Sequence, residues 1–168
     1  FNQLKIEVGF NSVATVQKFL AYLEEPYLFI NLTRYSAKIK TQQKTPQKIY
    51  IIDNGFVKAK SFELSPNYGR LLENLVFVEL LRRNYKPKLE LFYYRTRNDR
   101  EIDFILRKGH SIEQLVQVCY DISQPKTLKR EIDALTEASP ELHCINLLII
   151  NWDKEEILEK NGLKIQLI

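Results

Sequence analysis

The sequence predicts an α/β fold: a mixed sheet built in the order α-β-β-β-α-β, preceded by a small helix-and-hairpin module. Three observations carry this expectation. Gly69 to Arg83 (GRLLENLVFVELLRR) has helical periodicity and is apolar almost all round, as a helix buried on more than one side would be. Two strand-like runs, ELFYYRTR and REIDFILR, flank Asn98-Asp99 and read as a hairpin, with QLVQVCYDI as a third strand. The near-continuous apolar run CINLLIINW has the composition of a strand covered on both faces. Between the last two, KTLKREIDALTEA places Leu128, Ile132 and Leu135 at helical spacing. A short run, LKIQLI, is expected to close the sheet.

Composition narrows the function. The chain has 168 residues, 45% of them hydrophobic, enough for a buried core and too apolar for an intrinsically disordered segment. Two Cys and two His cannot make a disulfide framework or a four-ligand zinc site. Cys119 and Cys144 sit in apolar strands and read as packing residues, and His110 and His143 read as structural. No apolar run approaches the roughly 18 residues of a membrane span and no signal peptide opens the chain, so a cytoplasmic location is expected. The chain has no Met, as expected of a piece of a longer polypeptide. No GxxxxGK[ST] phosphate loop is present, so this segment does not itself hydrolyse ATP.

The net charge of +4 is unevenly placed. Residues 1–55 hold seven basic and four acidic groups, and Arg34 to Lys48 (RYSAKIKTQQKTPQK) has Arg34, Lys38, Lys40, Lys44 and Lys48 with no acid among them. Alone, such a stretch is a solvated loop. Its flanks favour a nucleic-acid contact. Before it, Ser12 is a helix N-cap, followed by Val13, Val16, Phe19, Leu20 and Leu23 on one stripe, with Pro26 at the end; Lys18 lies off that stripe. YLFINLTRY and KIYIID read as strands on either side of the basic stretch. Helix, strand, basic loop, strand is the order of a winged helix-turn-helix ending in its wing. The competing reading is a helix plus hairpin packed on a neighbouring domain. Residues 1–55 are therefore expected to form the winged-helix remnant and 56–168 the second domain, with 56–67 as connector and a turn at Ser65-Pro66-Asn67.

Carboxylates stand out in the second domain. Glu73 has Val76, Phe77 and Leu80 at i+3, i+4 and i+7, and a carboxylate on apolar surface is costly unless paired, protonated or bound to a cation. Glu79, with Arg82 and Arg83, is an ordinary helix ion pair. Glu101 and Asp103 are two apart on one strand, so they share a face, with Ile102 and Phe104 expected on the other. Gln117 and Cys119 likewise share a face of the third strand.

A Glu in the first helix, an Asp on the second strand and a (D/E/Q)-x-K position on the third resemble the restriction-endonuclease-like PD-(D/E)XK superfamily. KIYIIDNG, YGRLLENLVFVELLRR, YYRTRNDREIDFIL, VQVCYDI and KREIDAL are similar to the C-terminal region of prokaryotic AAA-type P-loop ATPases, in which a winged helix and this nuclease-like domain follow the ATPase domain. The resemblance implies Asp103 as central metal ligand, Glu73 as a helper from the helix and Gln117 at the (D/E) position. The implied cofactor is Mg²⁺, which takes oxygen ligands and activates water for phosphodiester attack. It also implies DNA and the upstream ATPase domain as partners. The chain departs from the pattern at Cys119, where the lysine should stand. Arg130 is then the nearest substitute cation, with Glu131 a substitute ligand or its partner.

Three functions remain open: a nucleic-acid-binding nuclease-like domain without catalysis, an Mg²⁺-dependent nuclease with a variant site, and a protein-interaction module in which Glu73 and Asp103 pair with Arg70, Arg95 or Arg130. Trp152 is expected to pack at a strand end rather than stack on a base. For a DNA-contacting wing, replacing Lys38, Lys40 and Lys44 lowers DNA affinity and flattens its dependence on salt. An unchanged salt slope, read from binding titrations, would refute the wing.

Overall fold

Ser12 accepts a hydrogen bond from the Thr15 backbone N–H and caps a helix, as its sequence position predicts. In the computed structural model, which describes residues 2–26, 28–38, 42, 45–56 and 67–168, this helix is α2 (Val13–Glu24), preceded by a short α1 (Asn2–Glu7). Its stripe is less buried than expected: Val16 is buried, but Phe19 stacks on Phe10 and stays half-exposed. Lys40, Lys44 and the Ser65-Pro66 part of the expected turn lie outside the described residues. Strands β1 (Phe29–Leu32) and β2 (Lys48–Ile51) form a two-stranded antiparallel sheet with Leu32 opposite Lys48.

The second region runs α3 (Tyr68–Arg82), β3 (Leu91–Arg95), β4 (Glu101–Lys108), β5 (Ser111–Val118), α4 (Pro125–Leu142), β6 (Leu147–Ile150), β7 (Glu156–Lys160) and β8 (Leu163–Leu167). The order α-β-β-β-α-β is present, and a hairpin follows it. The six strands lie in the order β3-β4-β5-β6-β8-β7, with β5-β6 and β6-β8 parallel and the other neighbours antiparallel. LKIQLI therefore does not close the sheet; β8 is an inner strand, and β7 forms the edge. Asn161 and Gly162, with φ of 53° and 74°, make the two-residue turn between them, a geometry that Asn-Gly favours.

Each face of the sheet carries a helix. On the α4 face, Leu135 and Ala138 pack with Ile102, Ile105, Leu115 and Ile149. On the α3 face, Phe77 and Leu80 pack with Leu91, Phe104, Val116 and Leu148. Leu32 and Tyr50 belong to that second cluster, and the Tyr50 ring lies 4.1 Å from Phe77 in a near-parallel stack. Buried Asn74 adds a polar tie: its amide accepts from the Ile51 N–H and donates to the Ile51 carbonyl and to Asn54 Oδ1. Beyond β1 the chain continues to β3, where the Tyr35 N–H donates to the Tyr93 carbonyl and the Tyr93 N–H to Thr33. Packing thus runs across the expected boundary at residue 55: β1 and β2 are built into the core of the larger sheet. Among the described residues, no helix is long and apolar enough to cross a membrane.

Leu32→Ala tests this shared core. Leu32 is fully buried, and such truncations cost about 2–5 kcal/mol. Urea unfolding should show that loss in one transition that also reports the α3 sheet. Two independent transitions would show that the hairpin folds separately.

Candidate functional site

A bulge in β4 sets the geometry of the carboxylates. Phe92 pairs with Ile105 and Tyr94 with Ile102, so Asp103 and Phe104 together oppose Tyr93. Such an extra residue bends the strand and shifts the phase of its side chains. Ile102 consequently packs with the α4 face and Phe104 with the α3 face, which corrects the expectation that they share one. Glu101 and Asp103 do share a face. Beside the bulge, side chains replace ladder bonds: Gln117 Oε1 accepts the Asp103 N–H, Asp103 Oδ2 accepts the Val118 N–H, and Gln117 Nε2 donates to the Glu101 carbonyl.

Lys48 reaches into this site from β2. Its Nζ is 2.9 Å from Glu73 Oε1, 2.8 Å from Glu101 Oε1 and 2.9 Å from Asp103 Oδ1. These side chains keep between 16% and 32% of their exposure, so water screens them far less than a surface pair. At an effective dielectric constant of about 20, unit charges about 4 Å apart interact by about 4 kcal/mol. Three carboxylates therefore repel one another strongly, and the ammonium offsets that repulsion. Burial alone would lower the Lys48 pKa, but Asp103, then Glu73 and Glu101, hold it well above the ordinary lysine range. Burial pushes the Asp103 carboxyl up to about 6, with Lys48 opposing the rise and Glu73 adding to it. Tyr50 donates its hydroxyl to Glu73 Oε1 at 2.6 Å; burial, reinforced by Glu73, raises its pKa and keeps the proton on the phenol.

A second row lies behind the first. Gln117 Nε2 donates to Glu131 Oε2 at 2.7 Å, and Arg130 holds Glu131 Oε1 through two guanidinium nitrogens. Glu131 is thus the partner of Arg130 and Gln117. Cys119 is buried next to it; burial, then Glu131, push the thiol up to about 11, so it stays neutral. The carboxylates and this row line one open cavity of about 870 Å³, along with Tyr68, Arg70, Arg95, Arg100 and Tyr120.

The structure brings Glu73 and Asp103 together as expected. Gln117 is close by, but its amide oxygen is engaged by the Asp103 backbone, so it positions that residue instead of adding a ligand. Arg130 faces Glu131 rather than the first row, and neither it nor Arg70 or Arg95 is the cation shared by Glu73 and Asp103; Arg95 pairs with Glu101 and Asp99. Lys48 is a correction, because it is turned into the protein and is not an exposed wing residue. Arg34 also turns inward, donating to the Arg95 carbonyl. Lys38 and Lys18 are exposed, the latter over the Tyr22 ring. Trp152 is 68% exposed, which corrects its expected packing role. The Glu79 ion pairs with Arg82 and Arg83 form as expected.

Sequence reasoning missed Tyr50 and the role of Lys48, and marked Glu101 only as sharing a face with Asp103. The alternation of KIYI did carry a signal, since Lys48 and Tyr50 lie two apart on one strand face. As arranged, these side chains do not fit Mg²⁺: a divalent ion where the carboxylate oxygens converge would meet the Lys48 ammonium at contact distance. Among the described residues, no group of three or more His, Cys, Asp or Glu side chains is placed to hold a metal ion.

The raised Lys48 pKa means that its stabilisation is fully present below the ordinary lysine value of 10.5 and is lost only as pH rises above it. Asp103, also raised, has the same sign in the acid range: its contribution is greatest below 3.8 and falls as pH rises through about 6. Lys48→Met should cost about 3–5 kcal/mol near neutral pH by leaving three carboxylates uncompensated. The loss should shrink as pH falls through about 6, where Asp103 takes up its proton. Urea unfolding across this pH range measures both effects.

Comparison with known proteins places the site within a matched region. The chain is similar to an uncharacterized protein of Methanocaldococcus jannaschii, 37% identical over 142 residues, covering 83% of this chain and 30% of that protein. It is also similar to an uncharacterized protein of Haemophilus influenzae, 37% identical over 110 residues, covering 66% of this chain and 26% of that protein. The chain thus spans less than a third of the length of these relatives. No solved structure matches it. Residues 68–143, which contain Glu73, Glu101, Asp103, Gln117 and Glu131, match the family described as Domain of unknown function (DUF4143).

Proposed function

We propose that this chain is a nucleic-acid-binding, nuclease-like domain whose hydrolytic centre is closed by Lys48, and that it forms the C-terminal region of a cytoplasmic P-loop ATPase. The observation that carries the proposal is the Lys48 ammonium, held within 2.9 Å of Glu73, Glu101 and Asp103. The arrangement keeps the acidic floor of a phosphodiesterase site and fills its cation position with a side chain. Restriction-endonuclease-like architecture is supported by the order α3-β3-β4-β5-α4-β6, with Glu73 on the helix and Asp103 on the second strand facing each other.

Lys48 cannot take over the role of a divalent ion. An ammonium does not draw the pKa of a bound water down to a range where hydroxide forms near neutrality, and that is the main contribution of a metal to hydrolysis. Here the ammonium instead offsets part of the floor's negative charge, which lowers the repulsion a phosphate backbone meets on approach. Around the floor, Arg70, Arg95, Arg100 and Arg130 line the cavity. Arg95, Arg100 and Arg130 are held by carboxylates yet keep part of their guanidinium surface exposed, where phosphate oxygens could bind.

Plasmid and single-stranded DNA incubated with Mg²⁺ or Mn²⁺ test this. The expected result is no cleavage above that of Asp103→Ala, together with binding of a labelled oligonucleotide that weakens as salt rises. Cleavage by the unaltered chain that disappears in Asp103→Ala would establish a working nuclease instead.

A further inference from the structure

We propose that the cavity edge carries a stacking platform for unpaired nucleic-acid bases, formed by Tyr68, Tyr120 and Trp152. The inference rests on the nucleic-acid reading above and names the form of nucleic acid that the site selects. Three aromatic rings from three separate elements lie in a row. The Tyr68 and Tyr120 centroids are 5.1 Å apart with planes 19° from parallel, and Tyr120 and Trp152 are 5.3 Å apart. Tyr120, the middle ring, is half-buried between its neighbours, whereas Trp152 is 68% exposed and Tyr68 is 51% exposed, so the two outer rings carry the free stacking surface. An exposed, contiguous aromatic surface marks a binding site more often than a lone exposed ring does.

Each ring is held in place. Buried Asn151 accepts from the Asp153 and Lys154 N–H groups and donates to the Lys154 and Ile168 carbonyls. This fixes the turn that presents Trp152. Tyr120 follows Cys119, whose N–H donates to the Ile150 carbonyl. Tyr68 begins α3, whose first turn is capped by Asn67. A platform ordered before binding loses little entropy when a ligand arrives.

Charge complementarity selects the ligand. Tyr68 and Tyr120 line the same cavity as Arg70, Arg100 and Arg130, the last two braced by Glu137 and Glu131, and as Asp121 and the carboxylate floor. The carboxylate floor repels phosphate, so a strand is best placed with its phosphates along the arginines and its bases turned onto the rings. Duplex bases have their faces covered by their neighbours; only an unpaired base offers a free face to stack.

Trp152 is the single tryptophan in the chain, so its emission reports the platform directly. In titrations with an oligothymidylate of about 20 nucleotides, long enough for a typical single-strand site, the emission should be quenched. A duplex of the same length should leave it unchanged. Trp152→Ala should weaken oligothymidylate binding about 5- to 150-fold, the range that stacking of one base gives. It should leave duplex affinity unchanged, and Trp152→Phe should recover most of the loss. Because the ring is exposed, thermal unfolding of Trp152→Ala should match that of the parent. Oligothymidylate binding seen by anisotropy, with unaltered Trp152 emission and unaltered affinity in Trp152→Ala, would overturn the platform while leaving the nucleic-acid reading in place. Equal quenching by duplex would also overturn it. If neither nucleic acid binds at low salt, both proposals fail.

Discussion

Glu73, Glu101 and Asp103 cannot share one pocket as charged groups without a cation between them, and the chain provides that cation from outside the sheet that holds them. Lys48 comes from the β1-β2 hairpin, Glu73 from α3, and Glu101 and Asp103 from β4. One ammonium therefore offsets part of the site's charge and joins three elements. Tyr50, two residues further on the same strand, repeats the link in apolar form: its ring packs against Phe77 and Phe104 while its hydroxyl meets Glu73. Removing the hairpin would expose the α3 face of the core and leave the carboxylates uncompensated. The same contacts explain why the packing does not divide near residue 55.

Local features were legible in the sequence because they depend on neighbours. Ser12 caps α2, Asp99 takes a left-handed turn in the β3-β4 hairpin, and Leu128, Ile132 and Leu135 face the sheet from α4. Glu73 and Asp103 were marked by carboxylates set among apolar residues. The site's cation was not legible, because Lys48 lies between 25 and 55 residues from the three carboxylates it pairs with. Its strong local signal, an acid-free basic stretch, pointed to solvent. The bulge at Asp103 was hidden for a similar reason: alternation assumes a continuous ladder, and the shift arises only from pairing with β3. β7 escaped notice through its charged composition, although the Asn-Gly that follows it marks the hairpin. Trp152 at the end of an apolar run read as packing, since nothing local reveals that Asn151 turns it outward.

The cavity combines features that a working hydrolase and a binding protein would use differently. Its floor is acidic, an ammonium meets that floor from the hairpin, and its wall carries arginines and the Tyr68 and Tyr120 rings. Catalysis needs a cation that can polarise water, and Lys48 lacks that capacity. Six acidic side chains and four arginines line the cavity, so the Lys48 ammonium offsets its negative charge only in part. Gln117 and Glu131, buried behind the first row, hold the strand backbone open at the bulge instead of contributing ligands.

Calorimetric titration of the unaltered chain, Lys48→Met and Lys48→Met/Asp103→Asn with Mn²⁺ addresses the centre directly. With Lys48 as the resident cation, the unaltered chain should show no saturable heat. Lys48→Met should gain a single site, and the added Asp103→Asn should abolish it. Saturable Mn²⁺ binding by the unaltered chain, lost in Asp103→Asn alone, would contradict the assignment of Lys48 as the cation of this site.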